Sequence, residues 1–380
     1  KVNKMIDPIK CNQFYDILIE NNIDFFTGVP DSLLKNFCSY MTDNTTPEKN
    51  IIAANEGNAI ALAAGYNLAT SKFGLVYMQN SGEGNAINPL TSLTDPDVYS
   101  IPVLLLIGWR GEPGIKDEPQ HKKMGKITLK LLDTLGIPYS ILNKDYDNTI
   151  KTAIDHMKKN KSPYALIAKK GIFSEYKMRD QINFKFELNR EGALKIIVPI
   201  LETNDIIVST TGKTSRELFE LRKSLGMDLD NDFLTVGSMG HSSSIALGIA
   251  LPKSDKNVYC FDGDGALIMH MGALSIIGQL SPKNLKHIVF NNYAHDSVGG
   301  QPTSSKNINI PDIALANGYK NAYSVNSKEQ LIEKINMIKD MDGPILLEIK
   351  INKGARENLG RPTSSPIENK EAFVKNLNNN

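Results

Sequence analysis

Residues 258–294 read VYCFDGDGALIMHMGALSIIGQLSPKNLKHIVFNNYA. A short apolar run, Val258 to Phe261, ends in Asp262-Gly263-Asp264-Gly265. A segment with helical spacing follows, and a second apolar run, His287 to Phe290, ends in Asn291-Asn292. The pattern predicts strand, turn, helix, strand. A right-handed crossover between parallel strands brings both C-terminal ends to one edge of a sheet, and Asp264 and Asn292 with them. A carboxylate, an amide oxygen and a nearby backbone carbonyl make a hard oxygen site for Mg²⁺. Gly265 lets backbone N–H groups approach a diphosphate closely.

Two other phosphate-binding patterns fail on single residues. A dinucleotide fingerprint running on from Gly263 and Gly265 needs glycine at position 268, which is Ile268. Gly212-Lys213-Thr214 has the end of a P-loop, but the earlier glycine falls on Ile207.

The rest of the chain repeats the same rhythm. In the first half, strands are expected at 23–26, 51–53, 75–78, 103–107, 137–141 and 164–168. Helices are expected at 9–19, 58–69 and 147–159, with a further one capped by Asp31-Ser32. Residues 108–122 form a polar loop containing Gly and Pro. Residues 171–187 mix charges and aromatics and read as a linker. Beyond it lie helices 189–201, 214–223, 242–251 and 327–338, and strands 206–209, 322–325 and 345–349. The fold class is therefore α/β: two doubly wound parallel-sheet domains, 1–170 and 188–380.

Composition sets bounds. A chain of 380 residues with 41% hydrophobic residues and a net charge of +1 holds two ordinary domains and lacks the charge bias of a nucleic-acid binder. No run is apolar enough to span a membrane, and the N-terminal KVNKMIDPIK has no signal-like core. Cys11, Cys38 and Cys260 form no paired or metal-binding spacing, which suits a reduced, cytoplasmic setting.

With the GDG and the double Asn in place, the chain resembles the thiamine diphosphate-dependent 2-oxoacid decarboxylases. The resemblance is carried by FFTGVPDSLLKNFC (25–38), NEGNAIALAAGY (55–66), STTGKTSRELFE (209–220), GSMGHSSSIALGIAL (237–251), NNYAHDSVGGQPT (291–303) and KGARENLGRP (353–362). It runs along nearly the whole chain, without the central domain of the larger family members. It implies thiamine diphosphate and Mg²⁺ as cofactors. It also implies a homo-oligomer, at least a dimer, with each cofactor between the pyrimidine-binding domain of one subunit and the diphosphate-binding domain of another.

The resemblance also assigns roles. Glu56 would hydrogen-bond the aminopyrimidine ring; outside the motif it reads as a helix N-terminal glutamate favoured by the macrodipole. Gly237 and Met239 would meet the aminopyrimidine group and wedge the cofactor into a bent shape. Gly212, Gly263, Gly265 and Ala266 would line the diphosphate. Asp264, Asn292 and the backbone oxygen of Ala294 would hold Mg²⁺. Tyr293 departs from the smaller residue expected between the last two.

The implied reaction is non-oxidative decarboxylation of 3-phosphonopyruvate to phosphonoacetaldehyde and CO₂. Asp31 and His121 are the expected proton-transfer groups. A phosphonate dianion calls for cations and N–H or O–H donors. Arg110, Arg356 and Arg361 could supply the charge; Ser81, Asn85, His295 and Ser297 could supply further contacts. Sulfopyruvate is the rival substrate, although its decarboxylase often divides the two domains between separate chains. A non-catalytic thiamine diphosphate-binding regulatory subunit is the rival of another class; it would be expected to lose Glu56, Asp264 or Asn292.

Overall fold

The computed structural model describes residues 7–179 and 184–379. The first six residues, read above for a leader, and residues 180–183 of the expected linker lie outside it. The chain forms two units: Lys1–Gln181 with Val298–Gln301, and Ile182–Ser297 with Pro302–Asn380.

The first unit has six strands: β1 (Phe25–Gly28), β2 (Asn50–Ile52), β3 (Gly74–Gln79), β4 (Leu104–Gly108), β5 (Tyr139–Ile141) and β6 (Tyr164–Ala168). Its helices are α1 (Cys11–Glu20), α2 (Lys35–Asn44), α3 (Glu56–Thr70), α4 (Glu83–Ser92), α5 (Lys122–Thr134) and α6 (Tyr146–Asn160). All pairings are parallel, in the order β2-β1-β3-β4-β6-β5.

The second unit contains β7 (Ile206–Ser209), β8 (Asp232–Leu234), β9 (Val258–Gly263), β10 (Leu285–Asn291), β11 (Asn321–Val325) and β12 (Ile345–Lys350). Its helices are α7 (Arg190–Ile197), α8 (Lys213–Ser224), α9 (Ser242–Ala250), α10 (Asp264–Met269), α11 (Ala273–Leu280), α12 (Ile310–Ala316), α13 (Lys328–Ile338) and α14 (Pro366–Asn379). The strand order is β11-β12-β10-β9-β7-β8, again all parallel. Read from its other edge, this is the first sheet's order with every number raised by six. The shared rhythm of the two halves is thus a shared topology.

Both sheets are covered on both faces, as parallel sheets require. Side chains alternate along each strand. Leu104 and Leu106 enter one core, while Leu105 and Ile107 enter the core on the opposite face. The second sheet divides Tyr259 and Phe261 from Val258 and Cys260 in the same way. Near-continuous apolar strands follow from this double burial.

Some boundaries differ from the sequence reading for local reasons. Asp31 does not cap a helix directly: its carboxylate accepts a hydrogen bond from Leu33 N at 2.9 Å in a tight turn, and α2 begins at Lys35. Asn55 caps α3 by accepting from Asn58 N at 3.0 Å, so Glu56 is the first helical residue. In the stretch expected as a linker, Ile172 and Phe173 are buried in the first unit's core, and Phe173 bridges Ile9.

Candidate active site

In an open parallel sheet the loops at the C-terminal ends of the strands face one way, and ligands bind where the strand order reverses. In the first unit that point lies between β1 and β3. The registers Gly28↔Ile52, Gly28↔Tyr77 and Gln79↔Gly108 align four strand ends. Asp31 follows β1, Glu56 follows β2, residues 80–85 follow β3 and Arg110 follows β4. The topology therefore gathers most of the first unit's expected site residues at one edge.

Glu56 is 5% exposed. Asn85 donates from Nδ2 to Glu56 Oε2 at 2.7 Å, and Gly82 faces the other oxygen so closely that a Cβ there would overlap it. Asn85, expected to meet substrate, thus directs one amide N–H at Glu56. Ser81 is exposed and accepts from Gln79 Nε2. Beside them Glu83 is buried, which raises its pKa to about 8.

Asp31 is 1% exposed. Burial raises its pKa to about 6, opposed by the Leu33 N–H and the positive charge of Arg110. Gly108 leaves room for its carboxylate. His121 is buried too; burial and then Arg110 lower its pKa, favouring the neutral ring. Arg110 is half-buried, donating from Nη1 to Ser32 Oγ at 2.7 Å and from Nε to Asp117 Oδ2 at 2.8 Å.

The second unit's order reverses between β7 and β9. Gly212 follows β7 and caps α8 with φ +95°, in the left-handed region that glycine tolerates. Asp264 follows β9 as the first residue of α10. The register Phe290↔Gly263 puts Asn292 at the same edge, as the crossover argument anticipated.

Asp264 is buried and accepts hydrogen bonds from Thr303 Oγ1 and, at 2.8 Å, from Ser305 Oγ. Burial raises its pKa to about 6 against those two bonds. No cation pairs with it among the described residues. Asn292 Oδ1 accepts from Ala294 N at 3.1 Å. Asn291 bonds Glu348, Ser305 and Tyr293 N. Tyr293, at the position expected to be small, has φ +59°.

Residues 237–241 pack on α10. A Cβ on Gly240 would meet His270 Cδ2 at 2.7 Å and Ala266 O at 3.0 Å. Met239 is half-buried in this turn. The His295 ring faces Gly265, where a Cβ would lie 3.1 Å from its Cε1, and burial pushes the ring's pKa down to about 4. Ser297 is exposed two residues further on. Beneath the turn, His287 Nε2 lies 3.3 Å from Asp262 Oδ2.

The two C-terminal arginines occupy different surroundings. Arg356 pairs with Glu191 at 3.4 Å and with Glu220. Arg361 is exposed on the same irregular segment. Thr303, Ser305 and Asp117 were not singled out from sequence. Hydroxyls in a Gly/Pro loop carry no periodic signal, and the Arg110–Asp117 clamp closes a loop whose shape is not encoded in spacing.

Two family models match the chain: the thiamine pyrophosphate enzyme N-terminal TPP binding domain over residues 11–130, and the C-terminal TPP binding domain over residues 212–349. A phosphonopyruvate decarboxylase of Streptomyces viridochromogenes is 34% identical over 356 residues, covering 87% of this chain and 87% of that protein. One from Streptomyces hygroscopicus is 34% identical over 358 residues, covering 87% and 86%. A sulfopyruvate decarboxylase of Methanosarcina acetivorans is 30% identical over 395 aligned positions, covering 95% and 96%.

Proposed function

The chain belongs to the phosphonopyruvate decarboxylase family of thiamine pyrophosphate enzymes, and from that premise we propose that it converts 3-phosphonopyruvate to phosphonoacetaldehyde and CO₂ in phosphonate biosynthesis. The observation that carries the reading is Asp264. A buried carboxylate with two hydroxyl partners and no cation among the described residues fits a site that takes a divalent ion.

Asp264, Asn292 and the Ala294 carbonyl would hold Mg²⁺. Gly212, Gly263, Gly265 and Ala266 would face the diphosphate, and Gly237 and Met239 the aminopyrimidine end. When bound, thiamine diphosphate supplies the nucleophilic carbon and the electron sink for decarboxylation. The chain's own groups hold and move protons. Asn85 directs the carboxyl group of Glu56, which would hold a proton against the pyrimidine ring. Asp31, with a pKa near 6, and the neutral His121 are suited to exchange a proton with the reacting substrate at neutral pH.

Sulfopyruvate is the second reading. Fusion of the two domains does not argue against it, because the Methanosarcina relative also spans both halves in one chain. What argues for the phosphonate is the pair of Streptomyces relatives with the higher identity. The three buried free cysteines suit a reducing cytoplasm. No helix among the described residues is long and apolar enough to cross a membrane. The working form would be a homo-oligomer of at least two chains.

The test is turnover of 3-phosphonopyruvate, sulfopyruvate and pyruvate with thiamine diphosphate and Mg²⁺, read as aldehyde and CO₂ formed. Preference for phosphonopyruvate is expected. Preference for sulfopyruvate would reassign the substrate.

A further inference from the structure

We propose that the cavity beside Arg110 in the first unit seats the substrate's phosphonate, an inference that rests on the functional reading above. The cavity has a volume of about 240 Å³, ample for a tetrahedral anion. Its walls come from the turn after β1, the loop after β4 and Lys170 just beyond β6. They therefore lie at the same sheet edge as Asp31.

The charge balance of the walls is positive. Arg110, Lys116 and Lys170 supply three cations, and Glu112 and Asp117 two acids. Both acids are already paired: Glu112 with Lys169 at 2.5 Å, and Asp117 with Arg110. Lys116 and Lys170 are in no ion pair among the described residues. Two exposed ammonium groups thus stand at the rim of a cavity with no paired carboxylate of their own.

Asp117 acts as a clamp. It accepts from Arg110 Nε and Nη2, from Gly111 N at 2.8 Å and from Glu118 N at 2.8 Å. The Arg110 and amide bonds outweigh the opposing effect of burial and hold its carboxyl well below the usual range. Four N–H donors on one carboxylate fix the guanidinium plane. Nη1 remains on the side of Ser32 Oγ, 2.7 Å away. A pre-ordered fork loses little freedom when an oxyanion joins it.

Ser32 directly follows Asp31. An oxyanion held by Nη1 and the hydroxyl is thereby anchored one residue from the buried acid. Arg356 is less suited to the role, since it already lies against two carboxylates, Glu191 and Glu220. The rim lysines add selectivity. A phosphonate carries a second negative charge near neutral pH that a sulfonate lacks, and two surplus cations favour the dianion.

The experiment uses the full chain with thiamine diphosphate and Mg²⁺, as wild type, Arg110→Ala and the double variant Lys116→Ala/Lys170→Ala. The turnover-independent probe is 3-phosphonopropionate, which has no keto carbon; its binding is followed by titration calorimetry. Arg110→Ala should weaken that binding about 10- to 100-fold, the range for losing a charge-assisted hydrogen bond. It should lower the phosphonopyruvate-to-pyruvate ratio of kcat/KM by a similar factor, chiefly through KM. The lysine pair should lower the phosphonopyruvate-to-sulfopyruvate ratio about 10-fold.

Equal binding of the probe by wild type and Arg110→Ala overturns the seat, whichever 2-oxoacid is decarboxylated. Should Arg110→Ala fail to fold, the exposed lysine pair decides: an unchanged phosphonopyruvate-to-sulfopyruvate ratio overturns the proposal. A wild type that decarboxylates only the other 2-oxoacids overturns the functional reading instead, and the two failures are read from separate measurements.

Discussion

Asn85 Nδ2 donates to Glu56 Oε2 across 2.7 Å. Glu56 begins one helix and Asn85 lies in the first turn of another, each at the end of a strand of the same sheet. The bond converts a flexible carboxylate into one with a fixed direction, and Gly82 leaves space for its second oxygen. Leaving a buried acceptor without its hydrogen-bond partner costs about 1–3 kcal/mol. Asn85→Ala is therefore expected to lower kcat about 10- to 100-fold while cofactor affinity changes little. Glu56→Gln should fall further, about 10²- to 10⁴-fold, the range for losing a proton-transfer group. Single-turnover rates and cofactor titration measure the two separately. Asn85→Ala with wild-type kcat would remove the bond from the mechanism.

Asp31 illustrates the conflict between function and stability. Its folded-state pKa is about 6 against an ordinary 3.8, raised by burial. The unfolded chain therefore releases this proton at lower pH than the folded one. The contribution of Asp31 to stability is fully present below pH 4 and is lost as pH rises through about 6. At pH 7.5 the ionised group destabilises the fold. Asp31→Asn, which keeps an acceptor for the Leu33 N–H, should gain about 1–3 kcal/mol there and lose most of its turnover. Denaturant unfolding at pH 7.5 and pH 4 checks this. The gain should vanish at the lower pH; an equal gain at both would contradict the assignment to ionisation.

Metal and cofactor should stabilise the protein through Asp264. Saturation a hundredfold above Kd adds about 2.7 kcal/mol to unfolding, visible as a rise in Tm that EDTA reverses. Asp264→Ala should abolish that rise. The double variant Thr303→Val/Ser305→Ala should keep it but require about 10- to 100-fold more Mg²⁺, because those hydroxyls orient the carboxylate. An Asp264→Ala protein that still gains the full shift would place the metal elsewhere.

What the sequence made legible follows from how local each signal is. Asp264 and Asn292 sit at the ends of two adjacent strands whose register is set by their apolar runs. Reading the runs therefore located both residues. Thr303 and Ser305 return to Asp264 from 39 and 41 residues away, through a loop that no periodicity describes. Helix α4 escaped notice because Gly82, Gly84 and Pro89 break its pattern locally, although its buried face of Ala86 and Leu90 holds it in place. The turn at Asp31 reads as a helix cap because Asp and Ser favour both. Only the Leu33 N–H shows which one formed.

Tyr293 offers a test of the backbone at the proposed metal loop. Its φ of +59° lies in the left-handed region, where a side chain costs about 1–2 kcal/mol. Its ring packs on Phe184 and Phe186, with centroids 4.5 and 6.1 Å away, contacts worth about 0.5–1.5 kcal/mol each. The two effects oppose each other, which explains how a large residue persists where a small one suits the turn. Tyr293→Ala removes the ring and keeps the strain, so it should destabilise the protein by about 1–3 kcal/mol. Tyr293→Gly removes both and should be the more stable of the two by about 1 kcal/mol. That order reverses the one expected for an ordinary helix interior, where alanine exceeds glycine. Paired urea titrations of the two variants measure it. Alanine proving the more stable would mean that position 293 does not adopt the left-handed conformation.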